Sequence, residues 1–346
     1  MPVLVAHDPA QDEHDPGPGH PERPSRAAAA LRGILRSPAA DDLVRFVPRP
    51  ATPEELAAVH DPQYVRSLHE RCAVGGGSLD ADTLVDEGSY DLALRAAGAG
   101  LDAVARLDAG EADAAFLVLR PPGHHARRDR AMGFCLFNNL AVTAAALLRR
   151  GERVLVLDWD AHHGNGTQES FVSEPDLLFV SLHQYPWYPG TGGLGEVGTG
   201  AGAGATINVP LPAGTRGDAY RQAVEEVVLP AAEVFAPSWL LVSAGFDAHR
   251  DDPLAQLELS AGDFADLTER VARLVAPGRR ILFLEGGYDL EALAACTEAV
   301  AAALAGERIR AEPVTTSPDH GAAARDGVVG QVVTAARLLH ERAIGM

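Results

Sequence analysis

The chain has 346 residues, 47% of them apolar, and a formal net charge of −19 at pH 7. That charge argues against a nucleic-acid binder, because a phosphate backbone needs a basic face, and no apolar stretch is long and charge-free enough to span a membrane. All 29 basic residues are arginine, so Schiff-base chemistry and a phosphate-loop lysine are excluded.

The N-terminal segment Met-Pro-Val-Leu-Val-Ala has no basic region ahead of it and reads as a first strand, not a signal peptide, so a cytoplasmic location is expected. A long loop rich in Pro, Gly and acid follows from His7 to Pro24, and loops of that length in an enzyme often border the site. The apolar run Ala115 to Leu119 ends in Arg120-Pro-Pro-Gly-His124-His125. Asn138 or Asn139 then caps a helix whose apolar face is Leu140, Ala144, Leu147 and Leu148. Next comes Val154 to Asp158, an apolar strand that stops at Asp158-Trp-Asp160-Ala-His162-His163. If the extended geometry continued, Asp158, Asp160 and His162 would share a face, and Asp160 and His162 would grip one ion together.

The stretch 189–204 is glycine-rich but precedes the strand Thr206 to Val209 where a dinucleotide loop would follow one, so it reads as flexible backbone near the site. Trp239 to Val242 runs into Ser243-Ala-Gly-Phe-Asp247-Ala-His249, Ser260 to Asp263 forms a capping box opening another helix, and Ile281 to Leu284 runs into Glu285-Gly-Gly-Tyr288. Short apolar runs alternating with helical patterns indicate buried parallel strands in an α/β sheet, and ligands bind outside the carboxyl ends of such strands. Four strand ends thus converge on one edge. Nothing resembling a linker interrupts positions 124 to 288, so one domain over 1–346 is expected. Cys72, Cys135 and Cys296 are odd in number and far apart, and read as buried thiols.

RPPGHHA (120–126), GFCLFNN (133–139), DWDAHHGNGTQ (158–168), VSLH (180–183), SAGFDAH (243–249) with DPL (252–254), and EGGY (285–288) together resemble the histone deacetylase and acetylpolyamine amidohydrolase superfamily, in particular its bacterial class II-like members. The similarity runs from His20-Pro-Glu-Arg-Pro-Ser-Arg26 to a final helix near 326–343. It implies an arginase/deacetylase-like α/β fold with a mostly parallel central sheet of about eight strands between helices, and a metal-dependent deacetylase. On this resemblance Asp160, His162 and Asp247 hold one divalent ion per chain, zinc by default, with an open position. His125 is the general base and His124 its positively charged neighbour facing the leaving amine, backed by Asn165 and Asp158 respectively. A carboxylate behind one imidazole and an amide behind the other should push their pKa values apart, His124 upward. Tyr288 holds the oxyanion. Gly133, Phe134, Tyr188 and Leu254 line the acyl-lysine channel, whereas Trp187 is expected in the core. Arg26 resembles the arginine of an internal acetate channel. Asp158, Ser181 and Leu182 resemble a buried potassium site.

Three other readings compete. A two-metal ureohydrolase of the same fold needs aspartates where this chain has Gly164 and Gly245. A polyamine deacetylase carries an acidic gatekeeper where Leu254 stands, although Asp251, Asp252 and Glu258 lie nearby. A non-catalytic acyl-lysine binder would not need Tyr288, His125 and all three ligands. The expected partner is an acyl-lysine protein or a small acylated amine, with neither nucleic acid nor membrane, and the choice between a monomer and a homo-oligomer stays open.

Overall fold

The computed structural model describes residues 1–309, 311–317 and 327–345. Eight strands form one sheet: β1 (Val3–Ala6), β2 (Leu43–Phe46), β5 (Ala114–Leu117), β6 (Val154–Asp158), β7 (Leu177–Gln184), β8 (Thr206–Leu211), β9 (Trp239–Ala244) and β10 (Arg280–Leu284). A separate antiparallel ribbon pairs β3 (Gly77–Ser78) with β4 (Leu84–Val85). The order across the large sheet is β2-β1-β5-β10-β9-β6-β7-β8, and every pair in it is parallel.

The strands read as continuous apolar runs because both faces are covered. Leu155 and Leu157 point into one core, with Leu182, Phe264 and Val300. Val154 and Val156 point into the other, with Leu140, Leu147 and Phe283. Helices Ser25–Arg36, Ala261–Val271 and Leu290–Ala305 contribute to the first core, and Ser89–Asp108 and Asn139–Arg149 to the second.

Local chemistry starts the helices where the side chains predict. Asn138 accepts from the Ala141 backbone N–H at 3.0 Å, and Ser260 and Asp263 form the reciprocal capping box. The last helix spans Val328–Ala343; residue 326, where it was expected to begin, lies outside the described residues. The loop from His7 to Pro24 contains a short 3-10 turn, Gln11–Glu13, and sends Gln11, His14 and Glu22 inward to Arg120. No helix is long and apolar enough to cross a membrane among the described residues. All three cysteines are buried and free.

Candidate active site

The four strands whose ends carry the expected chemistry are neighbours in the order β5-β10-β9-β6. Asp158 is level with Ser243 on one side and with Ser181 on the other, so one rim collects every segment. The ladder stops at Asp158, and residues 159–163 are not extended strand. Asp160 and His162 meet all the same, because Trp159 and Ala161 bury themselves in the core and turn the polar residues outward from it.

Asp160, His162 and Asp247 present one donor atom each, all within 4.8 Å of one another. His162 Nδ1 lies 3.1 Å from Asp160 Oδ1 and 3.0 Å from Asp247 Oδ2. Backbone N–H groups of Ala161 and Gly286 donate to Asp247 Oδ1 and Asp160 Oδ2 at 2.8 Å each and fix the carboxylates from behind. Burial depresses the His162 imidazole, but Asp247 and then Asp160 outweigh it and lift its pKa to about 10. Two buried carboxylates around one imidazole therefore demand positive charge, which a proton or a divalent cation supplies. The donor set, hard oxygens with one imidazole nitrogen, suits zinc. Glycine makes the space: a Cβ on Gly286 would lie 2.1 Å from Asp247 Oδ2. A Cβ on Gly164 would lie 2.1 Å from Asp158 Oδ2, and one on Gly245 2.0 Å from Asp160 Oδ2, so neither position has room for the aspartate of a two-metal site.

The adjacent histidines lie with ring centroids 4.0 Å apart and planes tilted by 40°, and are both buried. His124 Nδ1 donates to Asp158 Oδ2 at 3.0 Å, and His125 Nδ1 donates to Asn165 Oδ1 at 2.8 Å. Burial lowers His124, but Asp160, Asp158 and Glu285 more than reverse it, and the imidazole sits well above its ordinary pKa. His125 sits well below its own, through burial and then the positive His124 and His162. Asp158 is pushed up to about 6 by burial, which His124 partly offsets.

Tyr288 is 7% exposed, and burial holds its phenol well above the ordinary range. The Arg26 guanidinium lies 4.7 Å from the Tyr288 ring centroid and donates to the carbonyls of Gly287 and Glu285 at 2.6 and 2.5 Å. Phe134 contacts the Tyr288 ring edge-on at 5.8 Å, and Tyr188 contacts His125 at 5.2 Å and His162 at 6.2 Å. Phe134 has φ 68°, a conformation rare for a bulky residue, and its N–H is held by Thr83 Oγ1 at 3.1 Å. Gly133 must be glycine, since a Cβ there would lie 2.5 Å from His125 Cδ2.

Two expectations need correction. Trp187 is not core: it is 37% exposed beside Tyr188, and its indole N–H donates to the Leu254 carbonyl at 3.0 Å. A proline on either side and its place beyond the end of β7 keep it at the surface. The glycine-rich stretch is not loose backbone. Glu196 Oε1 accepts from Gly192 and Gly193 at 3.0 and 2.9 Å, Gln168 donates to its other oxygen at 2.6 Å, and His163 pairs with Thr191 at 2.8 Å.

The polar residues near Leu254 do not form a continuous acidic wall. Asp252 is buried with both oxygens engaged by backbone N–H groups, and Glu258, partly exposed, pairs with Arg216 at 2.7 Å; Asp251 is the most exposed of the three. At the expected potassium site, His183 Nε2 donates to Gly192 O at 3.0 Å, so its Nδ1 accepts from the Ser181 hydroxyl at 2.9 Å and leaves the serine lone pairs available to a cation. The Leu182 carbonyl accepts from Tyr220 at 3.3 Å, and its second lone pair remains.

Glu285 went unassigned in the sequence reading although the signal was present, a charged residue closing an apolar strand. It is 1% exposed and accepts from the N–H groups of Gly123 and His124 at 2.7 and 3.1 Å and from Ser243 at 3.2 Å, tying three strand ends together.

Comparison with known proteins bears on the family and the fold. The model of the histone deacetylase domain matches residues 20–304. A probable deacetylase from Archaeoglobus fulgidus is 40% identical over 319 residues, covering 89% of this chain and 88% of its own. A histone deacetylase-like amidohydrolase from Pseudomonas aeruginosa is 44% identical over 265 residues, covering 75% and 70% respectively. The crystal structure of the HDA15 HD domain superposes with a TM-score of 0.89 at 34% identity, covering 99% of this chain and 94% of that one. Sequence, strand order and site thus agree that this chain belongs to the histone deacetylase family of amide-bond hydrolases.

Proposed function

We propose that the chain is a zinc-dependent amidohydrolase that removes acetyl or related acyl groups from the ε-amine of lysine. The observation that carries this reading is the convergence, on four adjacent strand ends, of a three-donor cation site, two histidines of opposite protonation and a buried tyrosine. Asp160, His162 and Asp247 would hold the zinc, which when bound would supply Lewis-acid polarisation of the acyl carbonyl and acidify water.

The chain's own groups divide the remaining work. Because His125 Nδ1 gives its hydrogen to Asn165, Nε2 is the unprotonated nitrogen and takes a proton from the hydrolytic water. His124, charged against Asp158, offers Nε2–H to the departing amine. Tyr288 keeps its phenolic hydrogen and donates it to the oxygen that becomes negative in the transition state. Phe134 and Tyr188 flank the lysine stem, whose methylenes are each worth about 0.8 kcal/mol when buried. A potassium ion near Asp158, Ser181 and Leu182 belongs to the same proposal as a structural ion.

Leu254 offers no charge to a distant ammonium, and of the nearby acids one is buried and one is paired, which favours a neutral acyl-lysine over an acetylpolyamine. The test is a panel of acyl-lysine peptides beside N-acetylputrescine and N8-acetylspermidine, with metal content measured on the same preparation. Peptides are expected to exceed polyamines in kcat/KM by at least about tenfold, which is about 1.4 kcal/mol of transition-state binding. A preference for the polyamine overturns the substrate assignment. Tyr288→Phe should lower kcat by about 10²- to 10³-fold with metal retained; an unchanged kcat with a raised KM would make Tyr288 a binding residue instead.

A further inference from the structure

The segment between Asp247 and the helix Ala261–Val271 carries a buried carboxylate that the mechanism above does not use. Asp252 is 7% exposed, and its recorded hydrogen bonds all come from backbone N–H groups. Oδ1 accepts from Leu254 at 2.9 Å. Oδ2 accepts from Tyr288 at 2.6 Å and from Asp289 at 3.4 Å. The two ends it joins are the channel mouth and the residue that faces the acyl oxygen. Leu254 is held a second time at the mouth, where its carbonyl accepts from the Trp187 indole at 3.0 Å. A chain of contacts therefore runs Trp187, Leu254, Asp252, Tyr288 from rim to floor.

Tyr288 needs such an anchor. It follows Gly286 and Gly287, and Gly287 adopts φ 120°, a conformation open to glycine and rare for other residues, so the preceding backbone contributes little stiffness of its own. Arg26 fixes the Gly287 carbonyl from one side, and Asp252 fixes the next N–H from the other. A carboxylate suits the place because it accepts with both oxygens and brings no hydrogen, whereas an amide of the same shape turns one N–H₂ toward a backbone donor. Burying a carboxylate without a cationic partner is costly: burial and then Asp247 push the Asp252 pKa up to about 7, and above that pH the cost is offset where the carboxylate holds two segments in register.

We infer that Asp252 is a positioning residue, whose carboxylate sets the Tyr288 phenol and the Leu254 rim in one frame; this rests on the reading of Tyr288 as the oxyanion donor. A misplacement of about 1 Å at a reacting group can cost 10²-fold in rate, so the effect is expected in kcat more than in KM.

The experiment is a cycle of Asp252→Asn, Tyr288→Phe and the double variant, assayed on an acetyl-lysine peptide with metal content and thermal melting measured on each. Asp252→Asn is expected to lower kcat by about tenfold or more while KM moves less than about threefold. In the Tyr288→Phe background the same substitution should change kcat by less than about twofold, because the hydroxyl it positions is gone. An equal loss in both backgrounds, or an undiminished kcat in Asp252→Asn alone, overturns the inference. If Tyr288→Phe itself leaves kcat intact, the oxyanion reading has failed and the inference falls with it. Should Asp252→Asn not fold, Trp187→Phe at the exposed rim tests the frame from its other end. It should lower kcat by about threefold in the wild-type background and leave it unchanged in the Tyr288→Phe background, and any other pattern counts against the frame.

Discussion

Acid should weaken this fold through buried histidines, of which His60 is one. The imidazole is fully buried: Nδ1 donates to the Arg127 carbonyl at 2.9 Å, and Nε2 accepts from the Asn138 N–H at 2.9 Å. It thereby ties both ends of the loop that carries Gly133 and Phe134. Burial pulls its pKa down to about 4 from the ordinary 6.5, more than the backbone carbonyls it faces can offset. Above the unfolded value neither state binds the extra proton, and the contribution is fully present. As pH falls from 6.5 toward 4 the unfolded chain takes a proton that the folded chain refuses, so stability is lost across that window, by about 1.4 kcal/mol per pH unit and about 3 kcal/mol in all. Between pH 7.5 and pH 5 the loss from this group is about 2 kcal/mol, a sizeable share of the roughly 5–15 kcal/mol by which domains are stable. Urea unfolding of the wild type and of His60→Gln at both pH values isolates it, because His163 and His183, also buried and lowered, are common to the two proteins. The variant should be less stable at pH 7.5 yet lose about 2 kcal/mol less on acidification. Parallel losses would refute the assignment.

Asp247→Ala should lose metal and activity together, because a three-donor site cannot spare a carboxylate; elemental analysis after dialysis reads it, and full activity in a metal-free preparation sinks the mechanism. Gly286→Ala should weaken metal retention by at least about tenfold while the protein stays folded, since its Cβ would press on Asp247 Oδ2 at 2.1 Å and on Asp160 Oδ2 at 2.7 Å; chelator competition measures this, and unaltered retention would show that the carboxylates can move aside. Leu254→Glu should shift the kcat/KM ratio toward N8-acetylspermidine by about tenfold, the worth of one well-placed charge at the mouth; an unchanged ratio places polyamine discrimination elsewhere.

Much of the site was legible from the chain because parallel strands buried on both faces must be apolar, so the polar residues in the short stretch after each run mark the candidate edge. His124, Asp158, Asp247 and Tyr288 stand there in plain sight. What escaped were residues whose place depends on partners that no motif names. Trp187 looks like core by type, but its place beyond the end of β7 and the bond of its indole to the Leu254 carbonyl put it at the rim. The glycine-rich stretch looks loose by composition, and only Glu196, reached by Gln168, pins it. Glu285 lay inside a recognised motif, yet its three donors come from two other strand ends, which no local pattern displays.

The strand order has a consequence for how this molecule comes into being. Without β10 the sheet is two separate pieces, β2-β1-β5 and β9-β6-β7-β8, joined by no ladder. The histidine pair follows β5, and the carboxylates of the candidate cation site follow β6 and β9, so the seam runs through the site itself. The strand that closes it, Arg280–Leu284, is the last of the ten to emerge during synthesis. Until it does, two half-sheets each present an unpaired edge, the kind of edge that recruits wrong partners. Pairing so non-local is slow to form. Recovery of catalysis after dilution from denaturant should therefore trail recovery of helical signal, and a nascent chain stalled before residue 280 should hold the histidine pair and the carboxylates without Tyr288 and with no means of bringing them together.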